Sequence, residues 1–241
     1  MRDQPDTTNG RTTNEHAPDR RSAGSAGSAR QVAVFCGARP GARDEYVKFA
    51  AELGAGLAAR GLGLVYGAGS VGIMGSVAAS ARAGGARVLG VIPTSLFERE
   101  RPVPPAGEEL VVVRSMHDRK ALMYRLADGF AVLPGGLGTL DELIEVATWN
   151  QLGLHAKPVV LLDVAGFFQP LLAALDHAVA EGFAAAADRD AIGVARTVEQ
   201  ALDLLAPTTG PLTPTASVTA SPAASATTPT GSTAWDTTPV I

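Results

Sequence analysis

Apolar residues along this chain fall into two alternating rhythms. Short runs that are apolar at almost every position recur at 31–36, 62–66, 87–91, 110–113, 130–133 and 158–162, with a short seventh near 191–194. Runs of that length and continuity predict strands covered on both faces. Between them lie longer stretches with apolar positions three and four apart, at 44–60, 73–83, 117–127, 140–152, 167–181 and 198–205, which predict helices. The alternation of the two predicts an α/β fold: a doubly wound, Rossmann-like parallel sheet with helices on both faces, in a single domain.

The ends break the pattern. Residues 1–30 are polar and include a Ser-Ala-Gly repeat, and 207–241 are mostly Thr, Pro, Ala and Ser. Such segments bury too little apolar surface to offset the entropy of ordering, so both are expected to be disordered tails around a folded unit at 31–206. Of 241 residues 46% are hydrophobic, enough for one sizeable core. A net charge of −4 gives no basic surface for nucleic acid. The single cysteine, Cys36, allows no intrachain disulfide and suits a reducing compartment. The Arg- and Asp-rich beginning lacks the apolar stretch of a secretory signal, and no apolar run approaches membrane-spanning length. The expected location is the cytoplasm.

Sheets of this kind bind ligands at the carboxyl ends of their strands. Three glycine-rich turns fall there, at 36–41, 67–72 and 134–139. All three are expected to face one crevice and to hold a nucleotide-sized ligand. The turn at 134–139 joins a strand to a helix. It leaves backbone N–H groups at the positive end of the helix dipole, which is a seat for phosphate. It lacks the lysine of a Walker A loop, so a monophosphate fits better than a triphosphate. The plainer alternative is a glycine-rich loop that binds nothing. Glu142 lies one turn inside, where like charge excludes it as an attractor of phosphate. It either completes a capping box, Thr139-Leu140-Asp141-Glu142, or does chemistry. Asp141 suits the helix dipole, and Glu145 reads as a solvated or supporting acid.

Gly67-Ala68-Gly69-Ser70-Val71-Gly72 matches G-x-G-x-x-G letter for letter. The next strand ends Gly90-Val91-Ile92-Pro93, without the carboxylate that dinucleotide binding requires, so NAD is not expected. These glycines either permit a tight turn or bring Gly69 and Ser70 against a ligand's ribose or phosphate. Met116-His117-Asp118-Arg119-Lys120 opens the helix before the phosphate strand. It is either a solvated basic patch or a contact to phosphate or leaving group, for which Arg119 is better suited than Lys120. His117 reads as a helix-start residue. His155 and His177 have no partners at metal-ligand spacing, so no metal site is expected. Cys36 reads as a small core residue, Trp149 as a core or interface residue, and Thr148 is open to either a structural or a ligand role.

Together these residues resemble the LOG family, the cytokinin riboside 5′-monophosphate phosphoribohydrolases, long labelled lysine decarboxylases. The resemblance covers roughly 32–183. It is carried by Val34-Phe35-Cys36-Gly37, Gly69-Ser70-Val71-Gly72-Ile73-Met74-Gly75, Met116-His117-Asp118-Arg119-Lys120-Ala121 and the run P-G-G-x-G-T-x-x-E ending at Glu142. It implies a homodimeric nucleosidase that splits an N6-modified adenosine 5′-monophosphate into free base and ribose 5-phosphate, without metal or organic cofactor. It implies Arg119 and Glu142 as the catalytic pair. Substrate contacts would come from Glu100, Arg119, Lys120, Gly135, Gly136, Leu137, Gly138, Thr139, Leu140, Asp141 and Thr148. The chain departs from the usual pattern at Ala68, at Ala38-Arg39, at Asp141 and at Leu122, the last two bearing on the preferred base. Two other readings stay open. One is a carrier of the same fold that holds a phosphorylated ligand without cleaving it, as molybdenum-cofactor carriers broadly do. The other is a pyridoxal-phosphate decarboxylase, whose Schiff-base lysine would have to be Lys48, Lys120 or Lys157.

Overall fold

Strand β1, Gln31–Phe35, is buried along its whole length at the centre of the sheet. The structure is a computed structural model and describes residues 29–100 and 103–206. On one side of β1 lie β2 (Gly63–Tyr66), β3 (Val88–Pro93) and β4 (Glu108–Val113), and on the other β5 (Gly129–Val132), β6 (Val159–Leu162) and β7 (Ile192–Ala195). Every pairing among the described residues is parallel, in the order β4-β3-β2-β1-β5-β6-β7. Alternate side chains of β1 serve two cores. Val32 and Val34 pack with Leu53 and Leu57 of α1 (Asp44–Ala59), Val77 of α2 (Gly72–Ala83) and Leu202 of α8 (Val198–Leu205). Ala33 and Phe35 pack with Met123 of α4 (Met116–Leu126), Leu143 of α5 (Leu137–Gln151) and Leu172 of α6 (Gln169–Ala180). Helices on both faces account for a β1 that is apolar from Val32 to Phe35, the doubly wound architecture expected from the chain's rhythm.

Two short helices, α3 (Thr94–Glu100) and α7 (Ala186–Asp190), were not foreseen, because seven and five residues are too few to show a helical period. Strand β4 begins two residues before its apolar run. Glu108 is drawn into the sheet because the Tyr66 hydroxyl donates to it at 2.6 Å and Arg82 pairs with it at 2.8 Å. Helix α6 starts later than expected, since a short 3₁₀ turn, Val164–Gly166, comes first and places Ala165 at φ 52°. The expected tails lie outside the described residues, except for Ala29 and Arg30. No described helix is long and apolar enough to cross a membrane.

The chain runs outward from β1 through β2, β3 and β4, then returns to the far side of β1 as β5. The connections leaving β1 and β5 therefore diverge, and a crevice opens between them. Its floor is fastened by Gly37, whose N–H donates to the Pro134 carbonyl at 3.0 Å.

Candidate active site

The crevice is a cavity of about 440 Å³. Its walls come from the loop after β1 (Cys36, Gly37, Arg39), the first turn of α2 (Ile73, Met74), Arg119 of α4, the start of α5 (Gly135, Gly136, Gly138, Thr139, Glu142) and two rings, Tyr46 and Phe167. The rings meet edge to face, with centroids 5.9 Å apart.

Helix α5 begins at Leu137, three residues earlier than its pattern predicts, with Gly136 as the extended N-cap and no side chain bonded to the cap. That start bears on the capping role left open for Glu142. Thr139 is the third residue of the helix and not its cap, so Thr139 and Glu142 form no capping box. Thr139 is instead buried against Gly135, so closely that a Cβ on Gly135 would overlap its hydroxyl oxygen. Glu142 points into the cavity.

Arg119 faces it from α4, which begins where the Ser115 hydroxyl accepts the Asp118 N–H. Arg119 and Glu142 are each only 8% exposed. Arg119 Nη1 stands 3.9 Å from Glu142 Oε1, and its Nε donates to the Val91 carbonyl at 3.1 Å. Burial pushes the Glu142 carboxyl up to about 7; the Arg119 guanidinium opposes the rise and the Asp141 charge adds to it. The site thus holds a carboxyl poised near neutrality against a guanidinium that is always charged. Cys36 also lines the cavity, but burial, reinforced by the Glu142 charge, pushes its thiol far up, so it is not a thiolate nucleophile.

The expected site residues do not all come together. Arg119, Gly135, Gly136, Gly138, Thr139 and Glu142 come together around the cavity. Lys120, Leu137 and Asp141 lie on the outer side of α4 and α5, where Lys120 Nζ pairs with Glu145 at 2.6 Å and with Asp141 at 3.0 Å. Leu140 packs half-buried beneath that surface. Thr148 is exposed further along α5, its hydroxyl donating to the Ile144 carbonyl at 2.7 Å. Glu100 ends α3, and its side chain lies outside what the structure describes.

The three glycine-rich turns do not share one crevice. The turn at 67–72 puts Gly69 and Ser70 on a separate cavity of about 120 Å³, beside Tyr66 and Arg82. Its glycines serve packing instead. Gly67 leaves room for the Arg119 guanidinium, which a Cβ there would overlap. The Gly69 N–H donates to the Met74 sulfur at 3.3 Å. Tyr46, Phe167 and Met74 carry no signal in the sequence as wall residues, and Arg39 was visible only as part of its turn and as a departure from the family's usual pattern. None of the three lysines lines the cavity: Lys48 is exposed on α1, and Lys157 donates to the Tyr124 carbonyl at 2.7 Å. A pyridoxal-phosphate Schiff base therefore has no lysine here.

The family model described as "possible lysine decarboxylase" matches residues 74–205. A rice (Oryza sativa subsp. japonica) protein named cytokinin riboside 5′-monophosphate phosphoribohydrolase LOG is 53% identical over 156 residues, 65% of this chain and 64% of that protein. The match thus spans slightly less than two thirds of the rice protein's length. Arabidopsis thaliana LOG2, of the same descriptive name, is 48% identical over 176 residues, 73% of this chain and 82% of that protein. Among solved structures, the molybdenum cofactor binding protein of Rippkaea orientalis matches with a TM-score of 0.56 at 23% identity, over 73% of this chain and 94% of that one. The Moco carrier protein of Chlamydomonas reinhardtii matches with a TM-score of 0.53 at 20% identity, over 72% and 93%. Likeness at these identities concerns the fold alone.

Proposed function

On the footing that the chain belongs to the LOG family, we propose that it hydrolyses the N-glycosidic bond of adenosine 5′-monophosphate, plain or N6-substituted, to free base and ribose 5-phosphate. The observation that carries this reading is the buried pair Arg119 and Glu142, 3.9 Å apart and beside the uncapped start of α5. The first-turn N–H groups of α5 hold the 5′-phosphate at the positive end of the helix dipole. That grip sets the ribose over Glu142, and binding energy from the phosphate is spent on orientation. Breaking the C–N bond builds positive charge at the anomeric carbon, which the carboxylate stabilises while it takes a proton from the attacking water. The bond's electron pair leaves on the purine, where Arg119 stabilises it. Overall, the hydroxyl of water ends on the sugar and its proton on the base. Neither a metal nor an organic cofactor enters this scheme. A carrier that never cleaved its ligand would have no use for a buried acid facing a guanidinium.

The same reading makes the protein a cytoplasmic homodimer. Leu137 is 86% exposed on the outer side of α5 and Ile144 is also open, beside the Lys120 cluster, so that this face suits a second copy. Thr148 lies on it too, away from the cavity of its own chain, and reaches a substrate only across such a contact. The test is chromatography of the products from AMP and from isopentenyl-AMP, with wild type and Glu142→Gln. Free base and ribose 5-phosphate in equal amounts from the wild type alone are expected. A wild type that binds AMP and releases no base overturns the reaction.

A further inference from the structure

A 5′-phosphate brought into this cavity carries close to two negative charges and is set beside Glu142. The cations available to meet it are few. Lys120 is off the cavity and already shared between Glu145 and Asp141. Arg119 lines the cavity, but it is turned to Glu142 and to the Val91 carbonyl. When Glu142 is ionised, these two side chains cancel in charge. The remaining charged side chain on the wall is Arg39, which is exposed at the rim, with no hydrogen bond or ion pair to any described residue.

The backbone beneath Arg39 is pinned on two sides. Gly37 donates to Pro134 at 3.0 Å and is packed on Gly135, where a Cβ on Gly37 would stand 3.3 Å from the Gly135 Cα. The carbonyl of Arg39 itself lies against Gly72 at the start of α2. The loop is therefore fixed to the turn that begins α5, while the long guanidinium side chain above it has no partner among the described residues.

We propose that Arg39 is the cationic arm of the phosphate site. It closes over a 5′-phosphate seated at the start of α5 and selects phosphorylated nucleosides over free ones. This rests on the reading of the start of α5 as the phosphate seat. Its fork of donors fits a phosphate bidentately, which gives orientation as well as attraction.

Calorimetric titration with ribose 5-phosphate tests the arm without any turnover, in wild type, Arg39→Ala and Arg39→Lys. Loss of one charge-assisted contact is expected to weaken binding of Arg39→Ala about tenfold or more, with Arg39→Lys in between. Salt should weaken the wild type more steeply than Arg39→Ala. Adenosine, tested as a competitive inhibitor, should bind wild type and Arg39→Ala alike, and the KM for AMP should rise in parallel with the ribose 5-phosphate constant. Equal affinity of wild type and Arg39→Ala for ribose 5-phosphate overturns the arm, as does an equal loss for adenosine, or a wild type that does not bind ribose 5-phosphate. Failure of the proposed reaction looks different: ribose 5-phosphate binding that depends on Arg39, without base release from AMP, supports the arm and overturns the hydrolase.

Discussion

Gly67 makes room for Arg119: a methyl group on its Cα would overlap the Nη2 of the guanidinium. The first glycine of the G-x-G-x-x-G run therefore acts on a side chain of α4, holding it where it faces Glu142. Gly67→Ala should push the guanidinium off that position without touching any ligand. Base release from AMP is expected to fall about a hundredfold, the size of effect that follows loss of one preorganised charge stabiliser. The measurement is kcat for AMP alongside ribose 5-phosphate affinity. A large drop in kcat with retained binding bears the relationship out, and unchanged kcat contradicts it.

Glu142 gives the site a pH signature. Burial raises its carboxyl from the ordinary 4.5 to about 7, despite Arg119. If its carboxylate form takes the proton from water, kcat/KM for AMP rises as pH increases and levels off above about 7. Stability moves the other way. The folded state holds the proton more tightly than the unfolded chain, so this group's contribution is fully present below 4.5 and is lost as pH rises through about 7. A shift of this size corresponds to about 3 kcal/mol. Glu142→Gln does not titrate and escapes the loss. Urea unfolding at pH 4 and pH 8 should show the wild type losing about 3 kcal/mol relative to Glu142→Gln across that span. Parallel pH dependence in the two proteins would remove the buried charge from the account.

The fold was legible because it follows from local rhythm. Runs such as Val32–Phe35, apolar at each step, declare a strand covered on both sides, and no partner need be known to read them. The site was legible as far as its glycines and charges, but which of its charges meet depends on angles that letters do not carry. Neighbours on a helix point about 100° apart. Arg119 and Lys120 therefore cannot both face the cavity, and neither can Asp141 and Glu142. The structure pairs them off, Arg119 with Glu142 inside and Lys120 with Asp141 outside. The capping alternative for Glu142 turned on where α5 begins, which the backbone at Gly136 decides. The place of Gly67 depends on Arg119, far along the chain, and could not be read from its own turn.

The outer cluster should be unequal in its parts. Glu145 accepts from both Lys120, at 2.6 Å, and the Tyr124 hydroxyl, at 2.8 Å, while the Asp141 side chain is 61% exposed. Glu145→Gln weakens one contact of the half-buried Lys120 and disturbs the tyrosine's partner, so a loss of about 1–2 kcal/mol is expected. Asp141→Ala removes a solvent-screened pair and should cost at most about 0.5 kcal/mol. Chemical denaturation of the two variants at fixed salt checks the order. A larger loss at Asp141 would show that the exposed partner, and not Glu145, holds the lysine.

Ala165 gives a prediction that leaves the site's charges untouched. It sits at φ 52° in the 3₁₀ turn after β6, a left-handed conformation that crowds a Cβ against the following carbonyl. Its methyl group is exposed, so removing it forfeits almost no burial. The strain costs roughly 1–2 kcal/mol in an L-residue, and glycine is free of it. Glycine also adds freedom to the unfolded chain, which offsets roughly 0.4–1 kcal/mol of the gain. The balance favours Ala165→Gly by about 1 kcal/mol, or about 2–4 °C in Tm for a folded unit of this size. A thermal melt that moves downward would mean that the turn is held by contacts of the Ala165 methyl, and that relief of backbone strain is the smaller effect.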